Sequence, residues 1–192
     1  QSPGMSMTRE EKLLVAEVLD SMGVDVIEAG FAMASDGDFE SVKAIAQTAK
    51  HAVVCSLARA KEADIRRAAE ALKPAKRKRI HTFMSTSEIH LTHQFKLSQD
   101  EALEVIRKAV TLARSFTDDV KWSAMDATRT DLDYLAKAVE VAIAAGATTI
   151  NLPDTVGYGT PETIGKMFTV VMDKVKNVEH AVFSFHGQND LG

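Results

Sequence analysis

The sequence predicts an α/β fold, and within that class an incomplete (β/α)8 TIM barrel of about six βα units. Apolar runs alternate with amphipathic helical stretches at a period of about 30 residues, which is the spacing of a βα repeat. Most of the runs are apolar throughout, as expected for parallel strands that helices cover. Polar residues follow the runs, which is typical of barrel enzymes because their active sites lie at the carboxyl ends of the strands.

Each expected strand is flanked by start and stop signals for a helix. The strand-like runs cover residues 24–31, 52–58, 79–87, 119–127, 148–155 and 181–187. Two capping boxes, a threonine–proline pair and two weaker caps predict helix starts: Thr8 with Glu11, Ser98 with Glu101, Thr160 before Pro161, Asp38 and Thr130. Gly23 and Gly146 stand where a left-handed residue is needed to end a helix.

The competing α/β fold is an open, doubly wound sheet, which binds phosphates at a glycine-rich turn after its first strand. The stretch EAGFAMAS at the first run does not supply that glycine pattern. Instead, polar residues follow one run after another: Glu28, Arg59, His81, Ser85, Thr86, Asp126, Arg129, Asn151, Asp154, Thr155, His186 and Gln188. We therefore expect residues 1–192 to form one partial barrel domain that lacks its first and last strands.

Composition and charge argue against several classes of protein. The net charge is −4 with both signs interspersed, so we expect neither nucleic acid nor a membrane surface as a partner. No apolar run approaches the ~20 residues of a membrane span. The basic run at 73–81 enters a strand and has no interleaved aromatic residue, which predicts a solvated loop. Cys55 is the single cysteine and lies in an apolar run, so we expect a buried thiol and a cytoplasmic protein.

The last run ends in a cluster of polar residues that could bind a metal ion. His186 and Gln188 are two positions apart and therefore share one face of the strand. Asn189 and Asp190 follow them directly. A glutamine binds a metal only through its neutral amide oxygen, which suits Mg²⁺ or Mn²⁺ better than Zn²⁺. Alternatively, Gln188 forms a hydrogen bond to the substrate.

Two further clusters follow the fourth and fifth runs. Pro153 cannot donate to a sheet ladder, so the strand should break there and leave Asp154 and Thr155 beyond it. The Thr155 hydroxyl could bind a substrate carboxylate or cap the following turn. Asp126 and Arg129 could form an ion pair across the rim of the barrel, which contributes under ~1 kcal/mol if it is exposed.

Several segments together carry a family resemblance: QSPGMSMTREEK, GVDVIEAGF, ASDGDFESVKAIA, RIHTFMSTSEIH, AGATTINLPDTVGYGTPE and HGQNDLG. In order and over the whole chain, they resemble the catalytic barrel of the 2-isopropylmalate synthase family. Homocitrate and citramalate synthases and hydroxymethylglutaryl-CoA lyase belong to the same metal-dependent superfamily. The resemblance implies that a strand ending in Arg-Asp-Gly-Glu precedes residue 1, and that a further strand and an asparagine ligand follow residue 192.

The resemblance also implies roles for particular residues. The family's seventh strand carries His-x-His, whose histidines bind a divalent metal, Mg²⁺ or Mn²⁺ in the first place and Zn²⁺ as an alternative. His186 matches the first histidine, and Gln188 departs from the second. Thr155 matches a threonine that holds the keto-acid carboxylate, and Glu28 is implied as a second catalytic residue. His81, Met125 and Asp126 are implied to contact substrate, although many members have a glutamate where this chain has Met125.

The implied reaction is a Claisen-type condensation of acetyl-CoA with 2-oxoisovalerate to give 2-isopropylmalate, catalysed by a full-length homodimer. Sister synthases use pyruvate or 2-oxoglutarate instead. A catalytically impaired barrel is a second hypothesis, which Gln188 and Met125 favour, and a phosphate-handling barrel is a third. We expect residues 1–192 alone not to turn over, because the implied arginine, aspartate and asparagine fall outside them.

Overall fold

The computed structural model describes residues 7–188, in which strands and helices alternate. The strands are β1 (Val26–Gly30), β2 (Val53–Arg59), β3 (Lys78–Ser85), β4 (Val120–Met125), β5 (Thr149–Pro153) and β6 (Val182–His186). The helices are α1 (Arg9–Ser21), α2 (Asp36–Thr48), α3 (Glu62–Ala71), α4 (Glu88–His90), α5 (Gln99–Arg114), α6 (Leu132–Ala144) and α7 (Pro161–Lys174). Every strand overlaps its predicted run, so the predicted order of elements is confirmed.

The strands follow one another in the sheet in chain order, from β1 to β6. The pairs β1–β2, β4–β5 and β5–β6 are parallel. The chain divides into two compact units, Gln1–Ile80 and His81–Gly192, and the division falls within β3. The assignment of all 192 residues to a single domain stays a prediction.

The first unit, Gln1–Ile80, has an apolar core between its strands and helices. Ile27, Val54 and Ile65 come from β1, β2 and α3, and each is at most 6% exposed. Helix α1 begins at the predicted capping box, because the Glu11 backbone N–H donates to Thr8 Oγ1 and the Thr8 N–H donates to the Glu11 carboxylate.

Two details of this unit bear on the sequence predictions. The N-cap of α2 is Ser35, so the prediction of Asp38 as the cap was wrong; Asp38 lies in the first turn and accepts a hydrogen bond from the Ser35 hydroxyl. Cys55 is buried and forms no disulfide, as predicted. Helix α3 ends at Ala71 and β3 begins at Lys78, so residues 73–77 of the basic run lie in the segment that leads into β3, and residues 78–81 are the first four residues of that strand.

The second unit, His81–Gly192, packs three of its helices around a second core. Trp122, Leu135 and Ile150 of β4, α6 and β5 are completely buried. The capping box of Ser98 and the Thr160–Pro161 start are confirmed. The N-cap of α6 is Asp131, so the prediction of Thr130 was wrong by one position, because Thr130 uses its hydroxyl in a buried hydrogen bond to Asp126 instead.

A short helical segment after β3 has no counterpart in the sequence predictions. Helix α4 continues into a π-helix at Leu91–Phe95, and Lys96 ends it with a left-handed backbone at a φ of 54°. This segment places His90 beside the end of β3. Within residues 7–188, no helix is both long and apolar enough to span a membrane.

Candidate active site at the strand ends

A chain of hydrogen bonds crosses the second unit from β3 to β6. His81 Nε2 lies 2.6 Å from Ser123 Oγ, and the Asn151 side-chain amide donates to the same oxygen at 3.0 Å. Ser184 Oγ in turn donates to Asn151 Oδ1 at 3.0 Å. Strand register explains the order, since Ser123 pairs with Asn151 and Asn151 pairs with Ser184. Four adjacent strands thus contribute one polar side chain each to a single layer.

Met125 and His186 lie on the same face of the sheet as this layer, one step nearer the carboxyl ends of the strands. Side chains two positions apart share a face of a strand, so Met125 lies beyond Ser123, and His186 lies beyond Ser184. A step of two residues is about 7 Å along a strand. Met125 is half-buried and His186 is exposed. His186 therefore faces the same side of the sheet as His81, one layer nearer the carboxyl ends of the strands.

Asp126 forms a buried corner directly after β4. Its backbone is left-handed at a φ of 66°, and its carboxylate is completely buried. Arg129 binds both carboxylate oxygens, with Nε at 2.8 Å and the second guanidinium nitrogen at 2.7 Å. The carboxylate of Asp126 raises the pKa of Arg129 by accepting these hydrogen bonds. The predicted ion pair is therefore present, and it is bidentate, with a completely buried carboxylate and the guanidinium of an exposed arginine.

His90 adds a third charged or polar group to this corner. Its Nδ1 lies 2.7 Å from Ser85 Oγ and 3.6 Å from Asp126 Oδ2. Ser85 Oγ also lies 3.1 Å from the carbonyl oxygen of Met125, to which it can donate. Because the same imidazole nitrogen faces both Ser85 and Asp126, the three residues do not form the relay of a serine hydrolase, which needs both ring nitrogens. They join the end of β3 to the end of β4.

Asp154 folds the loop after β5 around its own carboxylate. The side chain is 3% exposed and accepts hydrogen bonds from the Thr128 hydroxyl and from the backbone N–H groups of Gly157 and Gly159. Gly157 has a φ of 70°, and a Cβ on Gly159 would lie 2.7 Å from Ile164 Cδ1. Asp154 is thus fully engaged in holding the loop that carries Thr155.

Thr155 is exposed, and its position is fixed by one hydrogen bond. The backbone N–H of Asp126 donates to Thr155 Oγ1 at 2.9 Å. A hydroxyl that already accepts a hydrogen bond can still donate its own proton. Among the described residues, no acceptor for that proton is present at Thr155, so the hydroxyl is available to donate to a bound anion.

His186 and Gln188 extend from the end of β6 as an exposed pair. Their Nε2 atoms are 3.3 Å apart. The amide of Gln188 and the imidazole of His186 thus converge on one point, which agrees with the predicted shared face. Asn189 and Asp190, which the sequence adds to this cluster, lie outside the described residues.

In the first unit, charged residues of β1 and β2 have close polar partners. Glu28 is an exposed residue of β1, and the Cys55 thiol donates to its carboxylate across 3.7 Å. At the end of β2, Arg59 Nε donates to buried Asp64 at 2.6 Å, and the guanidinium lies 5.4 Å from the centre of the Phe31 ring. The carboxylate of Asp64 raises the pKa of Arg59 through this hydrogen bond. That Glu28 is a catalytic residue stays a prediction.

Sequence reasoning missed several polar residues of this site. Ser123 and Ser184 were given no role, Asn151 was noted only as a polar strand residue, and His90 was not considered. A signal was available for three of them, because a lone serine or asparagine interrupts each of the apolar stretches VKWSAM, TINLP and VFSFH. No comparable signal marks His90.

Comparison with known proteins decides the family. The HMGL-like family model matches residues 1–192. The chain belongs to the HMGL-like family. Among curated HMGL-like relatives, the chain is 61% identical to the 2-isopropylmalate synthase of Methylorubrum populi and 60% identical to that of Afipia carboxidovorans. Each alignment covers all of this chain and 37% of the relative, so the chain spans little more than a third of their length.

Solved structures support the fold of this HMGL-like chain. The hydroxymethylglutaryl-CoA lyase of Pseudomonas aeruginosa matches with a TM-score of 0.74 at 20% identity, over 95% of this chain and 62% of the lyase chain. The HMG-CoA lyase of Brucella melitensis matches with a TM-score of 0.72, again at 20% identity, over 95% of this chain and 66% of its own. The predicted fold class, α/β with part of a TIM barrel, is confirmed.

Proposed function

We propose that the protein containing this chain is an acyltransferase that condenses acetyl-CoA with 2-oxoisovalerate to give 2-isopropylmalate, the first step of leucine biosynthesis. The observation that carries the proposal is the 61% identity to a 2-isopropylmalate synthase over all 192 residues. The polar layer and rim residues of the second unit are the groups that such a reaction needs, because acyl transfer to a keto acid requires donors for a carboxylate and for a developing alkoxide.

Thr155 is the proposed donor to the 2-oxo acid carboxylate. Its oxygen is held by the Asp126 N–H at 2.9 Å, and its own proton is available to a ligand. A hydrogen bond to a charged group contributes about 1.5–3 kcal/mol. Asp126 is buried and engaged with Arg129, so its proposed part in substrate binding is exerted through this backbone N–H rather than through its carboxylate.

His81 and Met125 are the proposed contacts for the rest of the 2-oxo acid. His81 lies in the hydrogen-bonded layer, with Nε2 at 2.6 Å from Ser123. Met125 lies one layer nearer the strand ends on the same face as Ser123, and a thioether side chain suits an apolar, branched substrate. Glu28 is the proposed second catalytic residue, because a carboxylate on a barrel strand can exchange a proton with acetyl-CoA.

His186 and Gln188 would hold a divalent metal ion. One imidazole nitrogen and one amide group converge within 3.3 Å at an exposed strand end, and this donor set fits an ion that keeps several water ligands. For binding, the Gln188 amide must present Oε1, which is indistinguishable in shape from its NH₂ group. Mg²⁺ or Mn²⁺ matches this oxygen ligand best, and Zn²⁺ is the alternative. When bound, the ion supplies Lewis-acid polarisation of the keto oxygen.

The proposal also covers the oligomeric state, the small-molecule partners and the location of the full-length protein. We propose a homodimer in the full-length protein, with acetyl-CoA and a 2-oxo acid as its small-molecule partners. We propose a cytoplasmic location, which is consistent with a buried cysteine, Cys55, that forms no disulfide.

A thiol-release assay on the full-length protein tests the proposed function. Acetyl-CoA is supplied with 2-oxoisovalerate, pyruvate or 2-oxoglutarate, with and without Mg²⁺ or Mn²⁺. We expect metal-dependent release of CoA that is fastest with 2-oxoisovalerate. Faster turnover of another keto acid would assign the protein to a sister synthase, and no release with any of them would support the impaired barrel that Gln188 and Met125 favour.

A further inference from the structure

The hydrogen bonds that join His81, Ser123, Asn151 and Ser184 can be ordered from donor to acceptor. That order indicates which nitrogen of His81 carries a proton. Ser123 is 5% exposed and Asn151 is 2% exposed, so neither side chain can rely on bulk water for its hydrogen bonds. Buried hydroxyl and amide groups are nearly always paired. The donors and acceptors along the chain can therefore be counted.

The count begins at Ser184. Its hydroxyl has one proton, and the better of its two acceptors is Asn151 Oδ1 at 3.0 Å rather than the Ile150 carbonyl oxygen at 3.4 Å. This interaction turns the oxygen of the Asn151 amide towards β6. The NH₂ group then points towards β4 and donates to Ser123 Oγ at 3.0 Å.

Ser123 Oγ therefore accepts from Asn151 and must place its own proton elsewhere. Among residues 7–188, the one other partner of this oxygen is His81 Nε2, at 2.6 Å. A protonated Nε2 would donate to Ser123 as well and would leave the buried serine proton without an acceptor. Leaving a buried donor unpaired costs about 1–3 kcal/mol. With the Asn151 amide oriented towards Ser184 by the shorter of the two Ser184 hydrogen bonds, the remaining contacts require Ser123 to donate to a bare Nε2.

We propose that Asn151 is a positioning residue that, through Ser123, holds His81 as the tautomer protonated on Nδ1. Ser184 supports this role by fixing the orientation of the Asn151 amide. The consequence for catalysis rests on the function proposed above: a neutral His81 with a fixed Nδ1–H is an obligatory hydrogen-bond donor at that atom. A neutral imidazole that donates to a carbonyl oxygen stabilises the negative charge that develops there.

The tautomer can be read directly from the full-length protein labelled with ¹⁵N-histidine. A long-range ¹H–¹⁵N spectrum distinguishes a bare Nε2 from a protonated one, and the His81→Gln variant identifies the His81 signals by their loss. We expect the wild-type pattern of Nδ1–H with a bare Nε2. The opposite pattern, or rapid exchange between the two, would overturn the proposal without any variant being needed.

The Asn151→Asp variant should reverse the donor and acceptor roles in the hydrogen bonds between residue 151, Ser123 and His81. A carboxylate at 151 accepts from both serines and cannot donate when ionised at about pH 8, so Ser123 turns its proton towards Asp and His81 must donate from Nε2. We expect the Nε2–H pattern in this variant and the wild-type pattern in Asn177→Asp, whose amide contacts Glu140 on α6 instead. An unchanged spectrum in Asn151→Asp would also overturn the proposal.

Kinetics give a second readout of the same variant. In an active synthase, loss of one preorganised donor lowers kcat by about 10²-fold or more. The spectrum does not require turnover, so an inactive protein with the expected tautomer would refute the proposed function and leave the role of Asn151 intact. An active protein in which His81 carries its proton on Nε2 would support the proposed function and refute the role of Asn151.

Discussion

The backbone N–H of Asp126 donates a 2.9 Å hydrogen bond to the hydroxyl oxygen of Thr155 and joins the end of β4 to the loop after β5. The bond depends on the left-handed backbone of Asp126, whose φ is 66°. Only a few residue types adopt that conformation readily, and aspartate is among them. An unusual backbone angle at the end of β4 therefore sets the direction in which Thr155, in the loop after β5, can donate.

Thr155→Val tests whether that donor binds the 2-oxo acid. Valine keeps the shape of threonine and removes the hydroxyl, so the loss of about 1.5–3 kcal/mol should raise KM for the 2-oxo acid about 10- to 100-fold. KM for acetyl-CoA should remain within about twofold of wild type. Both constants are measured by CoA release from the full-length enzyme.

The matched control is Thr169→Val on α7, whose hydroxyl contacts only the Gly165 carbonyl oxygen of its own helix. It should leave both KM values unchanged. If Thr155→Val lowers Tm but does not change KM for the 2-oxo acid, Thr155 serves the loop and not the substrate.

Substitutions of Asp126 separate its backbone role from its charge. Asparagine also tolerates a left-handed backbone, whereas alanine in that conformation costs about 1–2 kcal/mol. Both variants lose the ion pair with Arg129, which is 2.7 Å away. We therefore expect Asp126→Ala to lower the free energy of unfolding by about 1 kcal/mol more than Asp126→Asn does. Urea unfolding followed by circular dichroism gives the comparison. Equal losses would mean that the backbone conformation carries no cost here.

The elements that the sequence predicted well are those fixed by nearby residues. The boxes at Thr8 and Ser98 formed as expected because their partners are three residues away. Asp38 shows the limit of such reasoning, since both Ser35 and Asp38 are good caps by type. Serine occupies the cap, and the aspartate in the first turn accepts from its hydroxyl at 2.7 Å, so both side chains are satisfied.

The sequence indicates candidate site residues one by one, but it does not predict the hydrogen-bonded network that joins residues of neighbouring strands. His186, Gln188 and Thr155 were identified from strand ends and family resemblance, which need no knowledge of register. The chain from His81 to Ser184 depends on Ser123, Asn151 and Ser184 standing opposite one another, and cross-strand register is not encoded in any one segment. His90 lies in the three-residue helix α4, directly before a π-helix, and the sequence carries no periodic signal for either element.

Asp20 should make the stability of this chain depend on acidic pH. Its carboxylate accepts backbone N–H groups of Ala52 at 2.7 Å, Lys50 at 2.8 Å and His51 at 3.0 Å, which ties α1 to the segment before β2. The hydrogen bond from Ala52 contributes most to lowering the pKa of Asp20 from 3.8 to about 2. Because the folded pKa lies below the unfolded one, the stabilisation is present above about pH 4 and is lost as the pH falls towards 2.

The measurement is the unfolding midpoint in urea at several pH values between about 2 and 6. Asp20→Asn should lower stability at pH 6 and flatten the decline below pH 4. Asp173→Asn, an exposed position on α7, is the control and should follow the wild-type curve. A wild-type decline that persists unchanged in Asp20→Asn would place the acid sensitivity elsewhere.

Gln188→His tests whether position 188 is a metal ligand. Gln188 and His186 converge to 3.3 Å, so a side chain at 188 can reach an ion bound to His186. Neutral imidazole binds transition metals more tightly than an amide oxygen does, so the variant should bind Mn²⁺ more tightly and Zn²⁺ more tightly still. Mg²⁺, which prefers oxygen ligands, should gain little.

Titration of each ion into the full-length protein by isothermal calorimetry gives the three affinities, and Gln188→Ala serves as the variant without a donor. Equal affinities among glutamine, histidine and alanine at this position would show that the residue does not touch the ion, and would leave Gln188 with the alternative role of a hydrogen-bond partner for the substrate.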